Sequence, residues 1–238
     1  MPTSTMWDPV NPPAVKTLTV CVVSDTHGMQ GQMKALPQAD AVIHAGDFTA
    51  RGEYQQVQSF ADWGDSMSLP KHRRICIAGN HDISLQTKPE VTEPIVREGW
   101  TYLREWDTDL EGLKVWGSPW SPMFFPEHWS FQLQRGSHAR DHWAEMPDDA
   151  DIVVTHGPPF GYGDLTSRGY HVGDVDLLER LRVVKPRLVV CGHIHEGYGV
   201  YATDWGGMVV NASTCTLGYA PKNKPIVVRL PQVGHQYK

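Results

Sequence analysis

The sequence has few cysteines, no long apolar run and no excess of basic charge. Its four cysteines form no C-x-x-C pair, and three lie within apolar strand-like runs: Cys21, Cys76 and Cys191. Such usage is typical of a reducing compartment. No segment approaches the roughly 18 apolar residues of a membrane span, and the N-terminus lacks the basic start and apolar core of a secretory signal. We therefore expect a cytoplasmic protein without a membrane partner.

Basic charge, which drives nucleic-acid binding, is scarce. The formal net charge is −6 and the isoelectric point is near 6.0, so we do not expect a nucleic-acid partner. The length of 238 residues is enough for a large core without disulfides. Residues 1–15 are rich in Pro, Ser and Thr and predict an extended arm, while residues 16–238 predict a single domain. The pattern contains no signal for an oligomeric state.

What the sequence does contain is a series of short β-branched apolar runs. Such runs are typical of strands buried on both faces, and five occur at residues 17–24, 41–46, 74–79, 151–157 and 187–193. Helical patterns lie between several of them, at residues 53–67, 137–146 and 172–183. This alternation predicts an α/β fold. Three further strand-like runs near the C-terminus, without helices between them, predict a meander, and hence a mixed sheet or two packed sheets.

Polar side chains that can bind a metal or move a proton follow each of the five runs. The motifs are Asp25-Thr26-His27, Gly46-Asp47, Gly79-Asn80-His81-Asp82, His156-Gly157 and Gly192-His193-Ile194-His195. Sites in open α/β sheets form beyond the carboxyl ends of the strands, so these groups should converge in space. Each motif alone is weak, because the chain has 12 histidines. All five, each directly after a buried strand, form a specific pattern.

The types of these side chains predict a metal site. Two carboxylates, one amide oxygen and four imidazoles are too many ligands for one catalytic ion that keeps positions open for substrate. They suit two ions about 3.5–4 Å apart, which is the spacing of two-metal hydrolases. The candidate ligands are Asp25, His27, Asp47, Asn80, His156, His193 and His195. Because no thiolate joins the set, a closed structural zinc site is not expected.

The order D-x-H, G-D, G-N-H-D, H-G-P-P, G-H-x-H resembles the calcineurin-like metallophosphoesterases. The sequence around these motifs resembles the metallophosphoesterase domain-containing branch of that family. The segments that carry this resemblance are IHAGDFT, THGPP, CGHIHEGYG and NAST. The resemblance implies a four-layer αββα sandwich of two mixed sheets flanked by helices. The Gly46–Gly52 stretch lacks the second aspartate of the G-D-x-x-D-R-G motif of the protein Ser/Thr phosphatases, which argues against that branch.

The resemblance also implies a role for each matching residue. Asp25, His27 and His195 would hold one metal; Asn80, His156 and His193 would hold the other; and Asp47 would bridge the two. His81 would not bind metal but would lie beside the phosphate and its leaving group, with Asp82 orienting the His81 ring. Manganese is the expected metal, with iron, zinc, magnesium, nickel or cobalt as alternatives.

The function that this site implies is hydrolysis of a phosphoester by a hydroxide held between two ions. We expect small phosphodiesters such as cyclic nucleotides as substrates. A phosphomonoesterase and a nucleotide pyrophosphohydrolase are the nearest alternatives. A binding module that has kept the fold and lost catalysis is a third, although every ligand position is filled.

Several other residues have competing interpretations. His44, mid-strand, is expected to be a core histidine, and His138 and His142 are expected on a solvated helix face. Arg51 and His171, with Asn80 and His81, are candidates for contacting the substrate. Glu196 is a candidate partner for a ligating histidine. The Pro-rich segment 114–129 could line the pocket or fold against the sheet, and its candidates for the rim are Trp120 and Trp129.

Overall fold

Two mixed β-sheets lie at the centre of the protein in the computed structural model, which describes residues 16–125 and 128–232. The strands of the first sheet are β1 (Thr17–Val23), β2 (Ala41–Ala45), β3 (Arg74–Ile77), β4 (Thr101–Tyr102) and β13 (Ile226–Pro231). Their order across the sheet is β13-β1-β2-β3-β4. Strands β1 to β4 are parallel, and β13 pairs antiparallel with β1 at the edge.

The strands of the second sheet are β5 (Trp106–Leu110), β6 (Leu113–Ser118), β9 (Ile152–Thr155), β10 (Leu188–Cys191), β11 (Gly199–Ala202) and β12 (Met208–Asn211). Their order is β11-β12-β10-β9-β6-β5. The four inner strands are parallel, whereas the edge strands β5 and β11 run antiparallel to their neighbours. A short parallel pair, β7 (Ser121–Pro122) and β8 (Gln132–Leu133), lies apart from both sheets.

Helices cover the outer face of each sheet. They are α1 (Tyr54–Asp65), α2 (Ile83–Thr87), α3 (Pro89–Gly99), α4 (Ser137–Trp143) and α5 (Val175–Val184), with 3-10 turns at Lys71–Arg73 and His195–Gly197. Helix α5 begins at Asp174, whose carboxylate accepts hydrogen bonds from the backbone N–H groups of Asp176 and Leu177. It ends at Lys185, which adopts a left-handed conformation.

The alternation of side chains along the strands builds three apolar layers. In β1, Val20 and Val22 enter the cluster between the two sheets, while Cys21 and Val23 enter the cluster beneath α1 and α3. In β9, Val154 faces the inter-sheet cluster and Val153 faces the cluster beneath α4 and α5. Since each central strand is buried on both faces, the arrangement is the expected four-layer αββα sandwich, and the fold prediction is confirmed.

Several local predictions differ from the structure. The C-terminal strands do not form one meander, because β11 and β12 stay in the second sheet while β13 crosses to β1. The sequence pattern also gave no indication of helix α3, which has Pro89 in its first turn and Pro94 in its interior. The β5–β6 hairpin was missed as well, so the first residues of the Pro-rich segment, 114–118, belong to strand β6.

The predicted N-terminal arm, residues 1–15, lies outside the described residues, and the single domain over 16–238 stays a prediction. Within residues 16–125 and 128–232, none of the helices combines the length and the apolar character that a membrane crossing needs.

Candidate metal centre

The strand ends of both sheets meet at one edge of the sandwich. The backbone N–H of Ser24, after β1, donates to the carbonyl of Ala212, after β12 (3.0 Å), and the carbonyl of Ser24 accepts from Thr214 (2.8 Å). These bonds tie the two sheets together beside the polar residues that follow the strands. The five motifs are consequently brought to one place, as their position after parallel strands predicts.

The backbone turns sharply at the residues that enter the site. Asp25, His27, Asp47 and His193 all have positive φ angles, between 45° and 65°. This conformation is uncommon for residues other than glycine and clusters at functional sites. Hydrogen bonds hold it in place: the N–H of Asp25 donates to the Gly46 carbonyl (2.9 Å), and that of His27 donates to the Asp47 carbonyl (3.0 Å). The first two motifs therefore support each other.

Two glycines make room for the carboxylates. A side chain at Gly192 would overlap the Asp25 carboxylate and the Ser24 hydroxyl, and one at Gly79 would overlap Asp47. The absence of a Cβ at position 192 lets the His193 N–H reach both oxygens of Asp25, at 3.2 and 3.1 Å. The glycines of G-N-H-D and G-H-x-H are thus required by close packing against the acidic groups.

One group of side chains gathers around Asp25. The Nε2 atom of His195 lies 3.3 Å from Asp25 Oδ1 and 3.3 Å from the Nε2 atom of His27. Ligands held at 2.0–2.2 Å from one ion lie roughly 3–3.5 Å from each other, so these separations fit a shared cation. All three side chains are buried, with at most 9% of any residue exposed. Their ligand atoms lie within 4.8 Å of one another.

A second group gathers around His156. Its Nε2 atom lies 3.3 Å from Asp47 Oδ2 and 3.0 Å from Asn80 Oδ1. His193 belongs to the same group, with its ring centre 5.1 Å from that of His156. Asp47 Oδ2 also lies 4.0 Å from His27 Nε2, so this oxygen stands between the two groups. The seven expected ligands are therefore adjacent in space.

The hydrogen bonds that the Nδ1 atoms make determine which ring nitrogen of each imidazole is free to bind a cation. Nδ1 of His156 donates to the Ala45 carbonyl (2.9 Å), and Nδ1 of His195 donates to the Thr216 carbonyl (3.0 Å). A neutral imidazole that donates from Nδ1 presents a lone pair at Nε2. Each of these Nε2 atoms faces a carboxylate oxygen, so a neutral ring would direct its lone pair at that oxygen. Without a positive charge between them, such buried acceptors would repel each other, so the donor set fits a pair of cations.

Protons can supply part of this positive charge. Burial disfavours the charged form of His156, but the Asp47 carboxylate outweighs it and raises the pKa of His156 to about 9. Burial also opposes ionisation of Asp25, yet the hydrogen bond and charge of His195 hold the pKa of that carboxyl well below its usual value. In contrast, burial lowers the pKa of His27 to about 4 and that of His193 to about 3. These two imidazoles are neutral at pH 7 and ready to bind metal.

His81 lies at the margin of the two groups. Its backbone N–H donates to Asp47 Oδ1 (2.7 Å), its ring Nδ1 donates to the Ala50 carbonyl (2.7 Å), and its Nε2 lies 4.0 Å from Asp47 Oδ2. With His27 and Asp47 it forms a third set of possible ligands within 4.8 Å. The expectation that Asp82 orients this ring directly is wrong, because the Ala50 carbonyl does so.

Asp82 instead holds the loop that carries Ala50. Its buried carboxylate accepts from the backbone N–H groups of Phe48 (3.3 Å) and Thr49 (2.8 Å), from the Thr49 hydroxyl (2.7 Å) and from Gly79 N–H (2.8 Å). Burial, and then the charge of Asp47, raises the pKa of Asp82 to about 7. The effect of Asp82 on His81 is therefore indirect and runs through the backbone at residues 48–50.

A cavity of about 440 Å³ opens onto the two groups. Asp47, Asn80, His81, His193 and His195 form its floor. The walls are mainly apolar and come from loops distant in sequence: Pro122, Met123, Phe124, Trp129, Pro158, Val172, Ile194, Leu217 and Tyr219, with Arg135, Thr166 and Glu196 as polar members. A concave apolar pocket over convergent polar groups is the usual form of a small-molecule site.

Some expected substrate contacts lie outside the cavity wall. His171 is hydrogen-bonded through Nδ1 to the buried Asp164 (2.7 Å), and Arg51 lies over the ring of Trp129, with 5.9 Å between the guanidinium carbon and the ring centre. Glu196 does not meet His195; its carboxylate accepts from the Ser167 N–H (3.1 Å). Of the two tryptophans considered for the rim, Trp129 lines the cavity, whereas Trp120 packs against Phe131 and His142.

The other histidines are placed as follows. His44 is fully buried and bonds to the Thr26 hydroxyl (3.0 Å), so it is the core histidine that was expected. His138 is exposed, but His142 is half-buried and bonds to Ser118 (3.1 Å), which corrects the prediction of a solvated face.

Two site contacts were not predicted. The Ser213 hydroxyl donates to Asp25 Oδ2 (2.9 Å), and the ring of Tyr219 lies 4.9 Å from that of His27. Only the NAST motif in the sequence indicated Ser213, and no local sequence pattern indicated Tyr219.

The sequence that carries these groups is similar to known proteins. The family model for calcineurin-like phosphoesterases matches residues 18–197. The chain belongs to the calcineurin-like phosphoesterase family. Metallophosphoesterase domain-containing protein 1 of Homo sapiens and that of Mus musculus are each 40% identical to it over 95% of this chain and 76% of their own length.

Solved structures agree on the fold. A protein from Thermus thermophilus superposes with a TM-score of 0.54 at 15% identity, covering 82% of this chain and 89% of its own. Phosphopantetheinyl hydrolase from Mycobacterium tuberculosis gives a TM-score of 0.54 at 14% identity, with coverages of 82% and 88%. The family membership supports a metal-dependent phosphoester hydrolase that uses divalent ions.

Replacement of the Asp47 carboxylate tests whether the two groups of side chains bind metal ions. Asp47→Asn keeps the shape of the side chain but removes the negative charge between them, so we expect metal content to fall from about two ions per chain to below one. Plasma mass spectrometry after loading with Mn²⁺ and dialysis gives the count. Asp164→Asn is the matched control, because Asp164 is equally buried and belongs to neither group. Retention of two ions by Asp47→Asn would contradict the assignment.

Proposed function

We propose that this chain hydrolyses small phosphodiesters, including cyclic nucleotides, at a centre of two Mn²⁺ ions. In this proposal Asp25, His27 and His195 hold one ion, and Asp47 bridges to the other. Asn80, His156 and His193 complete the second site. When bound, the ions supply positive charge that makes water acidic near neutral pH and that offsets the charge of the phosphoryl oxygens.

The observation that carries the proposal is the convergence of carboxylate and imidazole ligand atoms into two adjacent groups, each with its ligand atoms within 4.8 Å of one another. In one of them, His156 Nε2 lies 3.3 Å from Asp47 Oδ2 and 3.0 Å from Asn80 Oδ1. A structural salt bridge would explain one histidine beside one carboxylate. It does not explain two such groups side by side, with Asp47 Oδ2 of one group 4.0 Å from His27 Nε2 of the other, beneath an open cavity.

The chain's own residues position the reacting groups. The N–H of His81 fixes the Asp47 carboxylate through Oδ1, which leaves Oδ2 for the two sites. The Ala50 carbonyl fixes the His81 ring so that Nε2 faces the cavity floor, where the doubly protonated form of the ring can donate to a leaving oxygen. Asp82 accepts hydrogen bonds from the backbone of residues 48 and 49, and so helps to hold the Asp47 carboxylate and the His81 ring in position.

The charge of the cavity wall favours a diester over a monoester. A phosphomonoester carries up to two negative charges near neutral pH, whereas a diester carries one. Arg135 is the single cationic side chain among the described residues that line the cavity, and most of the other wall residues are apolar. Such a wall suits a monoanion with an organic group on each side of the phosphorus.

A cytoplasmic location belongs to the same proposal. All four cysteines are free and buried, and burial raises the pKa of the Cys21 thiol to about 12. Thiols in that state are inert and need no oxidising compartment.

Hydrolysis of two nitrophenyl esters tests the function. With Mn²⁺, we expect the protein to hydrolyse bis(4-nitrophenyl) phosphate at least tenfold more efficiently, in kcat/KM, than 4-nitrophenyl phosphate, because the wall offers little further positive charge. EDTA should abolish the activity and excess Mn²⁺ should restore it. Full activity after chelation would contradict a metal-dependent reaction, and a preference for the monoester would contradict the diester assignment.

Removal of the His81 imidazole tests its role as a group that does not bind metal. We expect His81→Ala to lower kcat about 100-fold, as loss of a proton donor does, with metal content unchanged. His72→Ala, at an exposed histidine, serves as the matched control and should keep its rate. Metal loss in His81→Ala would show instead that His81 binds an ion together with His27 and Asp47.

A further inference from the structure

Three aromatic rings on the cavity wall each contact a different histidine of the candidate metal centre. The ring centre of Trp129 lies 4.2 Å from that of His81, Phe124 lies 5.1 Å from His193, and Tyr219 lies 4.9 Å from His27. Trp129 and Phe124 come from the Pro-rich segment, and Tyr219 comes from the loop after β12. The reacting end of the site is therefore ringed by flat apolar faces.

Two of these rings are left facing solvent. Phe124 is 44% exposed and Tyr219 is 50% exposed, although the candidate ligands beneath them, apart from the half-buried His193, are buried. Two aliphatic neighbours on the same wall, Met123 and Leu217, are 41% and 59% exposed. Apolar surface concentrated around a pocket is a common mark of a ligand site, because binding removes it from water.

The backbone at Tyr219 is strained to place its ring there. Its φ angle is 55°, which is uncommon for a bulky residue. The Tyr219 N–H donates to the Thr216 carbonyl (2.8 Å), and the Thr216 N–H donates to the Ala220 carbonyl (2.9 Å). The same Thr216 carbonyl accepts from His195 Nδ1, so one turn fixes both a floor imidazole and a wall ring.

The charged groups of the wall are tied to the backbone. The guanidinium of Arg135 donates to the carbonyls of Val172 (2.6 Å) and Gly173 (2.7 Å), and the Glu196 carboxylate accepts from Ser167 N–H. What the wall offers a substrate beyond the phosphoryl group is mainly aromatic and aliphatic surface. Recognition of an ester group there depends on its shape and on stacking.

We propose that Phe124, Trp129 and Tyr219 form a binding subsite for a flat aromatic ester group of the substrate. The inference rests on the proposed phosphoesterase function and adds the class of organic group that the site selects. An aromatic group can stack or pack edge-on against these rings, whereas a puckered ring of similar bulk cannot.

A pair of diesters with one leaving group tests the subsite. We expect 4-nitrophenyl benzyl phosphate to be hydrolysed with about tenfold higher kcat/KM than 4-nitrophenyl cyclohexylmethyl phosphate, mainly through KM. Both release 4-nitrophenol, so chemical reactivity is matched. In Phe124→Leu, Trp129→Leu and Tyr219→Leu the wall stays apolar but loses a flat face, and the preference should fall towards unity.

The control variant is Tyr170→Leu. Tyr170 is 68% exposed and is not among the residues that line the cavity, so the tenfold preference should persist. Equal efficiency for the two diesters in the native protein would overturn the subsite. Persistence of the preference in all three wall variants would overturn it as well.

A binding measurement separates failure of the subsite from failure of the proposed function. Calorimetry on the Mn²⁺-loaded protein should show benzylphosphonate binding about tenfold more tightly than cyclohexylmethylphosphonate. That result without hydrolysis of any ester would support the subsite and refute the phosphoesterase proposal. Equal binding would overturn the subsite even in an active enzyme, and would leave the exposed rings as a surface for a lipid or protein partner.

Discussion

Two buried carboxylates that are surrounded by imidazoles are the constraint on which this structure depends. Asp25 and Asp47 are removed from water, and an imidazole Nε2 atom lies 3.3 Å from an oxygen of each of them. Such an arrangement is costly unless positive charge lies among these atoms. The raised pKa of His156 meets part of the need with a proton. A pair of cations meets it fully, and the same charge is what phosphoester hydrolysis requires.

The rest of the fold serves to hold that arrangement. Parallel strands from two sheets end at one edge, and the bonds between Ser24 and residues 212 and 214 lock the sheets together there. Left-handed turns at Asp25, Asp47 and His193 then aim the side chains inwards. Each imposes a local conformational cost that the packed layers on both faces of the sheets can offset. The outer helices matter to function mainly because they bury the strands that carry these turns.

The positions of the candidate ligands could be predicted from the sequence because strand ends and short motifs are local features. Buried runs followed by Asp25, Asp47 or His193 show where each residue falls, and the topology of parallel strands brings the ends together. Helix α3 was missed because Pro89 and Pro94 act against the local helical signal, which tertiary packing overrides. The role of Asp82 was misjudged, since its partners in residues 48 and 49 lie 34 and 33 positions away. Tyr219 reaches the site only through loop packing, which no local pattern records, whereas Phe124 lies in the Pro-rich segment that the sequence marked as a possible pocket wall.

The central claim is that Asp47 stands between two ions. Anomalous diffraction from crystals of the Mn²⁺-loaded protein measures this directly. We expect two peaks about 3.5–4 Å apart, one beside Asp25 and His195 and the other beside Asn80 and His156, with Asp47 between them. A single peak, or two peaks that do not share Asp47, would contradict it.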